Sequence, residues 1–551
     1  MSPWLQLDSP DETFRRQSEA AFKQELAWAS HLSLSAIVVP LPAGKAVNHA
    51  HSINQAVSAL PHMHIWVRVP LAHPARGDDS SMVQADDEGA TSGHMAWASW
   101  NRVRSLCEHA PNLGVALLMG ADLPDDPRQL ERWCGEPVRA VVIPASVFLT
   151  NKRGFPTLSR RHQAALQQLV AHHPRLIVSG RPDSHGEGLG AHVQYLRYLV
   201  SKLAVQTEQE RFESPYYDYL QAPLQPLQDN LESQTYETFE KDPVKYERYE
   251  RAVHLYLMHK HEAGSEVVVM VVGAGRGPLV AATLAAGVSS GRRVRVFAVE
   301  KNPNAVVTLR GRCAREAGWS EVTVIPGDMR EWQSPIEADL LVSELLGSWG
   351  DNELSPECLD GAQRYLKPGG TSIPQDYTSY VAPLSSSRLW NEVKHFKDLA
   401  HFETQYVVKA HNAYQMCESK ECFYFSHPSN DRTPSEIAAI DNSRFRRVSF
   451  DVPLGGELHG FIGFFHSTLY SDGVETVHIS IEPRMESVGM FSWFPIYIPL
   501  RTPVTIPVGG HVEGVFWRHV SKHRVWYEWA LVEPEESPIH NPNGRSYHIG
   551  L

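Results

Sequence analysis

The stretch EVVVMVVGAGRGPLVAATLAAG, residues 266–287, decides how this chain is read. Its first seven residues are an almost unbroken apolar run, the pattern of a parallel strand covered on both faces. Gly273, Gly275 and Gly277 follow as a turn, and an apolar helix follows the turn. A glycine turn at the carboxyl end of a buried strand lets the backbone approach a ligand closely. Alone, it is equally well a tight connection. Two neighbours separate these readings. Glu300 ends the next strand, in RVRVFAVEKNPNAVVTLRGRC (293–313), where an acid can take two ribose hydroxyls. Asp328 ends the strand after that, EVTVIPGD (321–328). There a base edge can be read, and Met329 beside it can cover an adenine ring. The dinucleotide fingerprint needs glycine at 278, and Pro278 stands there, so no pyrophosphate cradle is indicated. The pattern suits an adenosine ligand without phosphates, with S-adenosylmethionine the natural choice.

A fourth strand, ADLLVSELLG (338–347), runs into SELLGSWGDNELSPE (343–357). This places Glu344 and Glu353 on either side of a glycine-rich loop that carries Trp349. Two acids nine residues apart are usually surface residues. On the rim of this sheet they have another use. Close carboxylates repel unless a cation sits between them, and a guanidinium is planar, permanently charged and matched to carboxylate forks. Such a pair can hold an arginine and turn one terminal nitrogen towards a methylsulfonium.

Working outward, the chain has 551 residues, 42% hydrophobic and 21% charged, which implies two to four domains. A net charge of −12 disfavours a nucleic-acid reader and suits a cationic partner. The six cysteines form no CxxC pair, so neither a zinc site nor a disulfide framework is expected. No signal peptide or membrane span is apparent, and a cytoplasmic and nuclear protein is expected. Residues 1–205 alternate helical patterns with five apolar runs, at 35–42, 64–71, 113–120, 138–149 and 175–180. These read as parallel strands, fewer than the eight of a closed barrel. The polar stretch 76–94 reads as a mobile loop. Residues 206–373 hold an aromatic, charged linker and the cofactor unit. The linker is extended after Gln221, then helical from Pro243, with Asp242 as N-cap. Residues 374–551 read as many short strands, an all-β domain.

Several motifs together resemble the protein arginine methyltransferase 5 family, type II enzymes that make symmetric dimethylarginine. They are PLQPLQDNLESQTYETFEKDPVKY (223–246), GAGRGPLV (273–280), VEKNPNAVVTL (299–309), DMREW (328–332), SELLGSWGDNELSPECLDGAQ (343–363), GMFSWFP (489–495) and IHNPNGRSYHIGL (539–551). GEPVRAVVIPASVFLTNKRGFPTLS (135–159) extends the likeness into the N-terminal third. The resemblance implies a TIM-barrel-like N-terminal domain, a Rossmann-like cofactor domain and a C-terminal β-barrel. It implies S-adenosylmethionine as cofactor and no metal. The implied substrates are arginine/glycine-rich proteins, splicing factors and histone tails, methylated in a homo-oligomer.

By the same resemblance, Glu344 and Glu353 are the catalytic pair. Cofactor contacts fall on Tyr236, Lys245, Tyr246, Gly273, Gly275, Arg276, Glu300, Asp328 and Met329. Phe239 sets product symmetry and Trp493 stacks on the substrate guanidinium. Without the motifs, Tyr236 and Phe239 would read as one face of a short helix and Trp493 as core. Trp349 departs from the family's usual phenylalanine. The front end is also shorter than is usual in the family. That leaves an open barrel as the expectation, and with it a reduced surface for the WD40 β-propeller adaptor that relatives bind. A non-catalytic scaffold for arginine-rich tails and a small-molecule N-methyltransferase are the competing readings. The intact acid pair and cofactor residues oppose the first. The long β-domain opposes the second.

Overall fold

The computed structural model of the chain describes residues 1–42, 44–72, 92–181, 188–203, 206–428 and 440–551. Five parallel strands, Ala36–Pro40, His64–Pro70, Leu113–Leu118, Val138–Pro144 and Arg175–Ser179, lie side by side in chain order. They match the five apolar runs of the sequence. Successive strand side chains point to opposite faces, which divides them into two sets. Val39, Val67, Leu117 and Ile143 pack against helix residues such as Ile53 and Leu166. Trp66, Ala116, Ala140 and Val142 form a small separate cluster on the other face. Right-handed crossovers that always step in one direction put the described helices on the same side. The result is an open half-barrel, as the strand shortfall implied. Most of the stretch read as a mobile loop, 76–91, lies outside the described residues. Its last three residues open the helix Ser92–Leu106 instead.

The second sheet is also five-stranded and parallel, but its order is reversed about the first strand. Glu266–Val272 lies between Arg293–Glu300 and Ala338–Val342, with Thr323–Pro326 and Leu366–Ile373 at the edges. Such a reversal opens a crevice at the carboxyl ends of the central strands. The strand expected at 338–347 stops at Val342, so Glu344 sits on the loop beyond it. Ahead of this sheet run two helices, Ser233–Glu240 and Pro243–Lys260. The second begins as its sequence indicated: Asp242 accepts a hydrogen bond from the Lys245 N–H, and Pro243 takes the first helical position.

Beyond residue 373 the chain is mostly antiparallel β. The strands expected as a barrel are hydrogen-bonded, among the described residues, into two sheets of seven and four strands. The longest strand, Gly456–Ser471, is at the centre of the larger sheet. One apolar core is shared with the second parallel sheet, running from Met270 and Leu341 to Phe465, Ile498 and Phe516. The half-barrel keeps its own core and meets the β-domain through polar contacts. Asn101 Nδ2 donates to Glu457 at 3.1 Å, and Arg104, paired with Glu136, reaches the Ser387 hydroxyl at 3.0 Å. None of the six cysteines is in a disulfide.

Candidate active site

A cavity of about 490 Å³ opens at the carboxyl ends of the second sheet's strands, between the helix Ser233–Glu240 and the segment carrying Trp493. All eleven residues singled out from the sequence for the cofactor and the acid pair line it, as do Phe239 and Trp493, except that Gly275 and Gly273 do so with backbone only. Its floor is the glycine turn. Gly273 and Gly275 have φ of 69° and 55°, where a side chain strains the backbone. A Cβ on Gly273 would lie 2.8 Å from Leu345 Cδ2, and one on Gly275 3.1 Å from the Tyr236 ring. The backbone conformation calls for glycine at both positions, and a Cβ there would also force the Leu345 or Tyr236 side chain to shift.

Glu300 is buried, and both its oxygens accept backbone N–H groups, from Gly275 at 2.7 Å and from Asn302 at 2.6 Å. Burial pushes its pKa up and these two bonds oppose the push. Each carboxylate oxygen can accept more than one bond, so the acid remains able to take ribose hydroxyls. Asp328 is differently engaged: Arg330 grips it with side-chain bonds of 3.1, 3.2 and 2.8 Å. Burial alone would raise its pKa, but the Arg330 bonds outweigh burial and hold it low. Met329 is buried beside it. Tyr236 Oη receives a hydrogen bond from Asn302 at 3.3 Å. Arg276 pairs with Glu240 at 3.2 Å and donates to the Ser233 carbonyl at 3.1 Å, joining the glycine turn to the covering helix.

The acid loop forms the opposite wall. Gly347 and Gly350 exchange backbone hydrogen bonds of 3.1 and 2.8 Å, closing the tight turn between the glutamates. Trp349 at its tip points away from the cavity. It is buried, and its indole donates to the Tyr380 carbonyl at 2.8 Å. Leu354, directly after Glu353, has a φ of 67°, a costly conformation for a branched side chain. Burial drives the Glu353 carboxyl well above its ordinary pKa, the charge of Glu344 drives it the same way, and Lys245 opposes both. Lys245 is fully buried, with Nζ 3.4 Å from Glu344 Oε2. The same ammonium lies 4.8 Å from the Trp493 ring centre, 4.9 Å from that of Tyr246 and 5.2 Å from that of Phe239. Three aromatic faces and a carboxylate around one cation make a recognition site for positive charge. The lysine expected on the cofactor thus also stands among the residues expected on the substrate.

Sequence reasoning missed what braces this loop. Arg518, fully buried in the β-domain, donates to Asp351 at 2.7 Å and bidentately to Glu357 at 2.8 Å, one acid before Glu353 and one after. The Tyr527 hydroxyl also donates to Asp351, and Ser379 donates to its other oxygen at 2.8 Å. A signal was present. Val512, Gly514, Phe516 and Arg518 share one face of their strand by alternation, so the arginine falls at an inward position.

Three family models together match nearly the whole length of the chain. Residues 1–202 match the model of the PRMT5 TIM barrel domain, 207–373 that of PRMT5 arginine-N-methyltransferase and 376–549 that of the PRMT5 oligomerisation domain. Protein arginine N-methyltransferase 5 of Oryza sativa subsp. japonica is 46% identical over 578 residues, covering 100% of this chain and 87% of its own. The chain belongs to the PRMT5 arginine-N-methyltransferase family. The Xenopus laevis member is 44% identical, again covering 100% of this chain and 87% of its own. The skb1 arginine N-methyltransferase of Schizosaccharomyces pombe is 35% identical, covering 100% and 88%. Among solved structures, the Trypanosoma brucei PRMT1 enzyme-prozyme heterotetrameric complex with AdoHcy aligns over 57% of this chain and 97% of its own, with a TM-score of 0.45 and 15% identity.

Proposed function

We propose that this PRMT5-family chain transfers methyl groups from S-adenosylmethionine to arginine side chains, forming monomethyl and then symmetric dimethylarginine. The observation that carries the reading is the meeting, in one cavity, of the glycine cradle and Glu300 with the Glu344–Glu353 pair and three aromatic rings. The residues present fit the cofactor. The turn leaves room only for backbone, Glu300 faces the ribose position, and Met329 gives an apolar cover. S-adenosylmethionine, when bound, supplies an electrophilic methyl on a sulfonium.

The chain's own residues orient the acceptor. Glu344 and Glu353 take N–H bonds from the guanidinium and fix one terminal nitrogen, while Trp493 and Phe239 bound its plane. The nitrogen loses a proton as its new bond forms. Glu353 suits the role of receiving it, because burial and its charged neighbour raise its affinity for protons.

Phe239 is a rigid ring three residues after Tyr236 on the helix Ser233–Glu240. It limits room beside the attacking nitrogen, so the bare nitrogen is presented after the first transfer. Phe239→Met, with a flexible side chain, is expected to release asymmetric dimethylarginine beside the symmetric product. We assign arginine/glycine-rich proteins, splicing factors and histone tails as substrates, consistent with the net charge of −12. By the same reading the chain acts in cytoplasm and nucleus as a homo-oligomer built through residues 376–549. A WD40 β-propeller adaptor would sit on the half-barrel. The test is incubation with labelled S-adenosylmethionine and an arginine–glycine peptide, followed by mass spectrometry of the methylated residues. Label in symmetric dimethylarginine is expected. No label from a folded, S-adenosylmethionine-binding preparation, or label only in the asymmetric isomer, would overturn the reading.

A further inference from the structure

Asp242 does more than cap its helix. It is completely buried, and a buried carboxylate is costly unless its lone pairs are filled. Here they are filled from two distant parts of the chain. Oδ1 accepts the Lys245 N–H at 3.2 Å, which is the capping bond. Oδ2 accepts the N–H groups of Phe491 and Ser492, both at 2.9 Å, and the Ser492 hydroxyl at 2.8 Å. These donors lie 249 and 250 residues further on, in the segment that carries Trp493.

The connection continues past that segment. The Trp493 indole N–H donates to the Leu346 carbonyl at 2.8 Å, and the Leu346 N–H donates to Glu344 Oε1 at 3.2 Å. One carboxylate therefore joins the turn that presents Phe239, Lys245 and Tyr246 to the acid loop, with Trp493 as the intermediate. A helix cap needs one oxygen, and serine, threonine or asparagine supplies it as well. Only a carboxylate supplies a second oxygen able to receive three further donors. That surplus distinguishes Asp242 from an ordinary cap.

We infer that Asp242 is a positioning residue for arginine binding: it seats Trp493 against Leu346, so that the acceptor's place is complete only when the helix covering the cofactor is docked. This rests on the arginine methyltransferase reading above. Asp242 makes none of the cavity's surface itself; it acts through Trp493.

Kinetics of the full chain with S-adenosylmethionine and an arginine–glycine peptide test this, using wild type, Asp242→Asn, Trp493→Phe and the double variant. Thermal melts and calorimetric cofactor affinity accompany each protein. In Asp242→Asn an amide N–H₂ must face one of the two donor sets. Peptide KM is expected to rise about tenfold, as for loss of a charge-assisted bond, with a smaller fall in kcat and cofactor Kd within about twofold. The double variant should be scarcely worse than the worse single, because both break one connection. Ser492→Ala leaves the cap intact and removes one of the three donors; a peptide KM raised about threefold is expected, and it serves where Asp242→Asn does not fold. Unchanged peptide KM in both Asp242→Asn and Ser492→Ala, or losses that multiply in the double variant, would overturn the inference while leaving the enzyme active. A wild type that makes no methylarginine would instead overturn the functional reading, and the inference with it.

Discussion

The half-barrel sheet and the methyltransferase sheet each have five strands, all parallel, yet only the second carries the candidate site. They differ in order. In the first, neighbours in space follow neighbours in sequence, from Ala36–Pro40 to Arg175–Ser179. Every crossover steps the same way, the helices gather on one face, and no two adjacent loops diverge. In the second, the chain starts in the middle at Glu266–Val272, goes out to one edge, and returns to the other side. The loops after the first and fourth strands then leave in opposite directions, and the crevice between them holds Gly273 and Glu344. Apolar content does not separate the sheets. Direction of winding does.

The sharpest way to break this contrast is at the crevice. Glu344→Gln keeps the side chain's size and removes its charge. Methyl transfer should drop about a thousandfold, the scale for losing preorganised charge at a reacting centre. Cofactor affinity should fall far less than methyl transfer, because the acid's main lost contact is to the arginine and the cofactor feels the change only through Lys245, which pairs with Glu344 at 3.4 Å. Single-turnover assays with parallel calorimetry would show it, and near-normal turnover would remove the acid pair from the mechanism.

The converse experiment is on the first sheet. Trp66 is nearly buried, with the Arg175 guanidinium 5.7 Å from its ring centre, and it dominates the small cluster on the helix-free face. Trp66→Ala should cost about 3 kcal/mol of stability in the half-barrel, the lower end for emptying such a site. Peptide KM and cofactor Kd should be unchanged. Altered kinetics in folded protein would show that the two sheets are coupled more closely than their separate cores imply.

A third test concerns the second strand's end. Glu300→Ala removes a charged acceptor from the ribose position, and bonds of that kind contribute ~1.5–3 kcal/mol. S-adenosylmethionine should then bind roughly ten- to a hundredfold more weakly. Unchanged affinity by calorimetry would move the cofactor away from the crevice.

These contrasts also explain what could be read in advance. The half-barrel was legible because parallel strands covered by other elements are near-continuous apolar runs, and all five runs became strands. In the second sheet four strands were legible, but the edge strand Leu366–Ile373, LKPGGTSI, carries no such run and was missed. The glycine turn and Glu300 were legible because each lies at a strand end, where position along the chain converts directly into position in space. The acid loop was legible as a pair of glutamates but not as a structure. Nothing nearby in sequence signals that Trp349 faces the β-domain, or that Leu354 takes a left-handed conformation. Contacts across the chain were the hardest part. Asp242 read correctly as a helix cap, but its second oxygen is filled by residues some 250 positions away. Arg518 lies in a different domain from the loop it braces, and only strand alternation pointed inward.

The smallest effect expected is on stability, and it tests whether the crevice is built for a cation that arrives later. Burial raises the Glu353 pKa well above the ordinary 4.5, the Glu344 charge adds to this, and Lys245 offsets only part of it. A carboxyl with a raised folded-state pKa contributes stability that is fully present below its unfolded pKa. That contribution is lost as pH rises through the folded value. Wild type should therefore lose stability progressively above about pH 4.5, at up to ~1.4 kcal/mol per pH unit until the folded value is passed. Glu353→Gln is neutral throughout and cannot lose it. The two proteins should melt together near pH 4, with the variant melting higher at pH 8. An arginine peptide should narrow the gap by supplying wild type with the missing positive charge between its acids. Thermal melts at several pH values, with and without peptide, measure both effects. Parallel curves for the two proteins would mean that Lys245 already neutralises the pair, leaving the crevice no charge deficit for a substrate to fill.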